Sequence, residues 1–140
     1  MPLSIKLPSK DKVIINGAVI ENTGDSTTIM LHNKADLLRR KEVMSEEQAT
    51  TPARRIYYAC QCAYLFEENR SDYLDVANQF LDEYLQAAPS AEEIIQAVRD
   101  NLVTEKYYVA LRKTNLLIDH ESERLESVGV DPQTGQFNNK

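Results

Sequence analysis

Three consecutive cations, Arg39-Arg40-Lys41, form the densest basic run in the chain, and a second pair, Arg54-Arg55, lies further on. Arginine offers a planar fork of N–H donors that fits a phosphate, and its flat face stacks on an unpaired base. Lysine brings a compact point charge to the same phosphates. With Lys34, these residues are the candidates for contact with single-stranded RNA, which exposes both phosphates and base edges. The bland reading of Arg39-Arg40-Lys41 is a sheet edge protected from aggregation by charge. For Arg54-Arg55 it is two solvated cations on a capped helix.

Other reactive residue types are poorly placed for chemistry. Cys60 and Cys62 lie one residue apart in a helical pattern, which points them about 200° apart and disfavours a shared metal or disulfide. They read as small core residues in a reduced compartment. His32 and His120 lack ligand spacing, so neither a metal nor a cofactor is expected. There is no Gly-rich phosphate loop, and no Ser sits in a nucleophile-elbow context. The acidic pairs Glu67-Glu68, Asp82-Glu83 and Glu92-Glu93 suit helix surfaces and caps. No catalytic residue is assigned, and the chain is not expected to be an enzyme.

The 140 residues are 42% hydrophobic and 27% charged, with a formal net charge of −6. That is the composition of a soluble globular domain. No apolar run approaches the roughly 18 residues of a membrane span. Met1-Pro2-Leu3-Ser4-Ile5-Lys6 lacks the apolar core of a signal peptide, so a cytoplasmic protein without membrane contact is expected. The net charge alone argues against nucleic acid, but its distribution does not. Residues 1–55 carry nine Lys/Arg against seven Asp/Glu, a balance of +2, whereas residues 56–140 carry seven against fifteen, a balance of −8. The two halves are built for different partners.

The elements that position these residues are legible in the periodicity. Leu3, Ile5 and Leu7 alternate with polar residues, as in a strand with one buried face. Lys12 to Ile15 and Ala18 to Glu21 flank Asn16-Gly17, a pair suited to the positive φ values of a type I′ hairpin turn. Thr27 to Leu31 reads as a further strand. Residues 36–44 fit either a strand or a weakly striped helix, and the preferred reading is a strand or short extended segment closing a small meander. Ser45-Glu46-Glu47-Gln48 has capping-box spacing. Thr51-Pro52 then predicts the start of a first long helix reaching about Glu67, because Thr can cap the first turn and Pro at the first helical position loses nothing. Asn69-Arg70 breaks the pattern and Ser71 is the expected cap of a second helix, which carries Leu74, Ala77, Leu81, Tyr84, Leu85 and Ala88 and ends at Pro89. Ser90-Ala91-Glu92-Glu93 predicts a second capping box, opening a third helix with Ile94, Ile95, Val98 and Leu102. The chain bends over Asn101 to Thr104, and a fourth helix carries Tyr108, Leu111, Leu117, Ile118 and Leu125. The expected fold class is α+β, a small N-terminal antiparallel β unit followed by a bundle of about four α-helices. Residues 1–128 would form a single domain, β-rich over 1–50 and helical over 51–128, with 129–140 a disordered tail.

Several stretches together resemble the FlbT family of flagellum biosynthesis repressor proteins of alphaproteobacteria. They are Leu3-Ser4-Ile5-Lys6-Leu7-Pro8, Lys12 through Asn22, Leu31-His32-Asn33-Lys34-Ala35-Asp36 and Thr51-Pro52-Ala53-Arg54-Arg55-Ile56-Tyr57. The resemblance implies a post-transcriptional regulator of flagellar biogenesis. Such a protein associates with the 5′ untranslated region of flagellin mRNA, typically represses its expression by promoting decay while some members act positively instead, and works with or against a FlaF-type flagellar protein. The family brings no set of RNA-contacting residues, so Arg39, Arg40, Lys41, Arg54, Arg55 and Lys34 rest on their own chemistry. Residues 3–44 are also similar in strand pattern to the carbon storage regulator family of mRNA-binding proteins, which implies a basic final strand and admits a sheet shared across a homodimer. The rival expectation is an adaptor that binds FlaF, flagellin or a nuclease without touching RNA, which the acidic helical half favours.

Overall fold

The computed structural model describes residues 2–127 and Gly129. The chain divides into two compact units, the first ending at Val43 and the second beginning at Met44. The fold is α+β: among the described residues, five strands in two small antiparallel sheets are followed by four α-helices.

In the first unit, β1 (Leu3–Leu7) pairs with β4 (Thr27–Leu31), with Ile5 opposite Ile29. A second sheet has the order β3-β2-β5, formed by Ala18–Glu21, Lys12–Ile15 and Leu37–Arg39. The strands are therefore not a sequential meander. β4 pairs with β1, and β5 pairs with β2 in the register Ile14 opposite Leu38. The alternation read in β1 appears as Ile5 and Leu7 buried, with Ser4 and Lys6 exposed.

The β2–β3 turn takes the expected form. Asn16 has φ 51° and Gly17 φ 81°, the pair of positive values a type I′ turn needs. The Asn16 N–H donates to the Asp36 carbonyl at 2.8 Å, and Asn16 Oδ1 accepts from the Asp36 N–H at 2.8 Å. This clasp holds the segment entering β5 against the hairpin. At the other end, Asn22 Nδ2 donates to the carbonyls of Leu7 (2.8 Å) and Asp25 (2.9 Å), fixing the reversal into β4.

The second unit opens with the capping box read at Ser45. Its Oγ accepts from the Gln48 N–H at 3.3 Å, and Gln48 Oε1 accepts from the Ser45 N–H at 2.9 Å. The helices are α1 (Pro52–Leu65), α2 (Arg70–Ala87), α3 (Glu92–Val103) and α4 (Tyr107–Ser127). Thr51 Oγ1 accepts from the Arg54 N–H at 3.3 Å, and Pro52 takes the first helical position. α1 packs on α2 and α4, and α3 packs on α4. Ile56, Cys60, Ala63, Ala77, Leu81, Ile95, Val98, Leu111 and Leu117 are among the buried residues.

Two expected caps are not made. α2 begins at Arg70, so Ser71 lies within its first turn and no side chain caps it. A one-turn 3-10 segment over Glu67–Asn69 leads directly into α2, and that segment rather than a cap supplies the start. Ser90 does not cap α3 either. Its Oγ instead lies 2.9 Å from His120 Nε2, while His120 Nδ1 lies 2.9 Å from the Tyr84 hydroxyl, a polar chain spanning α2, the Ser90 turn and α4. α1 stops at Leu65, short of Glu67, and α3 runs to Val103, so the chain turns after Thr104, where Glu105 adopts φ 61°. The expected tail lies outside the described residues except for Gly129, which has φ 75°. Among the described residues, no helix is long and apolar enough to cross a membrane.

Candidate nucleic-acid interface

Arg39 is the last residue of β5, and Arg40 and Lys41 lie in the 3-10 turn that follows, over Arg40–Glu42. The turn is held by Glu42 Oε1, which accepts from the Arg39 N–H at 3.2 Å. Arg39, Arg40 and Lys41 are all exposed. Arg40 faces Asp11 at 3.7 Å with 71% of its side chain still exposed, a loose pair that an incoming phosphate can replace. Arg39, Lys41 and the exposed Lys34 on the β4–β5 connection make no ion pair among the described residues. Residues 1–43 carry seven Lys/Arg against five Asp/Glu, so the excess of positive charge read over 1–55 persists in the unit proper.

The structure therefore groups Arg39, Arg40, Lys41 and Lys34 in the first unit. Arg54 and Arg55 belong to the second, on the first turn of α1. Arg54 is half-buried, and Arg55 is exposed. Arg55 lines a cavity of about 560 Å³ between the start of α1, the C-terminal half of α2 and the end of α4. Its bed is formed by Pro52, Phe80, Tyr84 and Leu125, with Arg124 as a second cation. The Tyr84 hydroxyl is pushed up to about 12 by burial first and by the Glu121 charge second.

This cavity was not visible in the sequence. Arg124 is an isolated cation in an acidic helix, and nothing local marks Glu121 as a buried carboxylate. Cys60 and Cys62 are both buried and free. Burial pushes the Cys60 thiol up to about 12 and raises Cys62 as well. Among the described residues there is no group of three or more His, Cys, Asp or Glu able to hold a metal ion.

Comparison with known proteins gives a consistent result. Residues 3–125 match the family described as flagellar protein FlbT. The chain is 33% identical over 137 residues to the flagellum biosynthesis repressor protein FlbT of Caulobacter vibrioides, covering 96% of this chain and 97% of that protein. It is 34% identical over 125 residues to a probable flagellum biosynthesis repressor protein FlbT of Rhodopseudomonas palustris, covering 89% and 98%. A probable flagellum biosynthesis repressor protein FlbT of Agrobacterium fabrum is 28% identical over 134 residues, covering 94% and 89%. No solved structure matches the chain significantly.

Proposed function

Because the chain belongs to the flagellar protein FlbT family, we propose that it represses flagellum biosynthesis, and that it does so by associating with the 5′ untranslated region of flagellin mRNA and promoting its decay. The observation that carries the RNA step is the exposed Arg39-Arg40-Lys41 turn, whose cations, among the described residues, are unpaired with acids or, for Arg40, loosely paired. Phosphate contacts from this turn and from Lys34 would position the protein, and an arginine face would stack on an unpaired base. The second unit, with nine Lys/Arg against seventeen Asp/Glu over residues 44–140, would repel RNA and present protein-binding surface. The protein would act in the cytoplasm, without catalysis of its own, and a FlaF-type protein would be its partner.

That acidic second unit also supports the rival reading, an adaptor that reaches the message only through another protein. The two readings separate in cells carrying the Arg39→Ala/Arg40→Ala double variant. Under direct binding, the flagellin message decays more slowly after transcription is stopped than with the wild-type chain. Unchanged message lifetime favours the adaptor.

A further inference from the structure

Two arginines, Arg55 and Arg124, line the α1–α2–α4 cavity. The other arginines of the helices are mostly engaged. Arg70 Nε donates to the Ala63 carbonyl at 2.8 Å, with its guanidinium 4.5 Å from the Tyr107 ring centre. Arg99 pairs with Asp82, and Arg112 Nη1 donates to the Tyr108 hydroxyl at 3.3 Å. Arg55 and Arg124 make no ion pair or side-chain hydrogen bond among the described residues, and both line the cavity. Arg54 also lacks such a partner, but it lies outside the cavity.

Among the described residues, the carboxylates that share the lining, Glu83 and Glu121, pair with neither arginine. Glu121, only 6% exposed, accepts from the Ala53 N–H at 2.9 Å. Glu83 accepts from Gln79 Nε2 at 3.2 Å. The start of α1 has no donor to spare in its first positions either. Pro52 has no N–H, Ala53 gives its N–H to Glu121, and Arg54 gives its own to Thr51. An anion entering here would therefore meet the arginine side chains rather than the helix end. Phe80, Tyr84 and Leu125 line the same cavity with Pro52 and form its apolar bed, and Pro52 and Ala87 are exposed. The volume falls within the usual range for ligand sites.

We infer that this cavity docks an acidic peptide segment of a partner protein, with one bulky apolar side chain on the Phe80–Leu125 bed and flanking carboxylates on Arg55 and Arg124. Charge complementarity selects this occupant. Unpaired cations over an apolar bed call for an anion with an apolar anchor, and Arg is suited to hold carboxylates in two-point contacts. A nucleic acid fits less well, because Phe80 and Leu125 suit an apolar side chain and the lining offers a phosphate backbone only the two arginines. The cavity belongs to the second unit, whereas the Arg39-Arg40-Lys41 turn belongs to the first.

The test is selection of phage-displayed peptides on the purified full chain, followed by anisotropy with the fluorescein-labelled winner. The expected winners place Asp or Glu beside Phe, Leu, Ile or Met. Their affinity falls at least tenfold in Arg55→Glu, in Arg124→Glu and in Leu125→Asp, and stays within twofold of wild type in Arg112→Ala. Arg55→Gln and Arg124→Gln, each expected to weaken binding severalfold, keep the test open if a charge reversal disturbs the far-ultraviolet circular dichroism. Failure to select any peptide, winners without acidic residues, or equal binding to the arginine variants and the wild type each overturns the assignment.

Discussion

Glu121 Oε2 accepts a hydrogen bond from the Ala53 N–H at 2.9 Å, joining α4 to the first turn of α1 across 68 residues of chain. A carboxylate at a helix N-terminus is favoured by the helix dipole, and this one is almost fully buried. Glu121→Ala is expected to destabilise the second unit by about 2–3 kcal/mol, because it strands a buried donor. Glu121→Gln keeps an acceptor and should cost about half as much. Urea unfolding checks both: the midpoint should fall with the slope unchanged. An Ala variant with the wild-type midpoint would show that the bond contributes nothing.

Gln61 makes a similar long-range tie. Its Oε1 accepts from the Met44 N–H at 2.8 Å, and its Nε2 donates to the Met44 carbonyl at 2.9 Å. Gln61 is 4% exposed, so both backbone groups of the residue that opens the second unit depend on it. Gln61→Leu roughly preserves volume and removes both bonds, at an expected cost of about 2 kcal/mol. Hydrogen exchange at the Met44 amide should accelerate more than at the α1 amides. Equal change at both would mean global destabilisation rather than release of this clasp.

The buried thiol of Cys60 predicts weakness in alkali. Its folded value is pushed up to about 12, whereas an exposed thiol ionises near 8.5. The unfolded chain therefore releases this proton first as pH rises. Stability is fully present below about pH 8.5 and falls above it, by at most about 1.4 kcal/mol per pH unit until the folded value is reached. In Cys60→Ala the fall between about pH 9 and 11 should be shallower, whatever the change at neutral pH. A parallel fall in both proteins would assign the alkaline weakness to other groups. The same burial should leave Cys60 unreactive toward a thiol reagent near neutral pH until the chain unfolds.

What the sequence made legible was whatever local chemistry decides. Asn16-Gly17 has only one good way to turn a hairpin, and Thr51-Pro52 and Ser45…Gln48 carry their own partners within three residues. The caps read at Ser71 and Ser90 failed for the complementary reason. A 3-10 turn over Glu67–Asn69 starts α2 without side-chain help, and a partner thirty residues away, His120, claims Ser90. Strand pairing also depends on distant choices, so five short strands did not reveal that β5 would join β2. The basic turn was visible because its residues are contiguous. The cavity was not, because Arg55, Phe80 and Arg124 converge from three helices with no common spacing.

The reading of this family member as an RNA-binding repressor is tested most directly by a salt titration of purified protein against labelled flagellin leader RNA, with wild type and Arg39→Ala/Arg40→Ala in parallel. Wild type should form a complex whose affinity falls as salt rises, by roughly 0.7 log units per log unit of salt for each phosphate bound. The double variant should bind more weakly at low salt, with a slope shallower by about 0.7 for each phosphate it no longer neutralises. No salt-sensitive complex with wild type, or identical curves for the two proteins, would contradict the account.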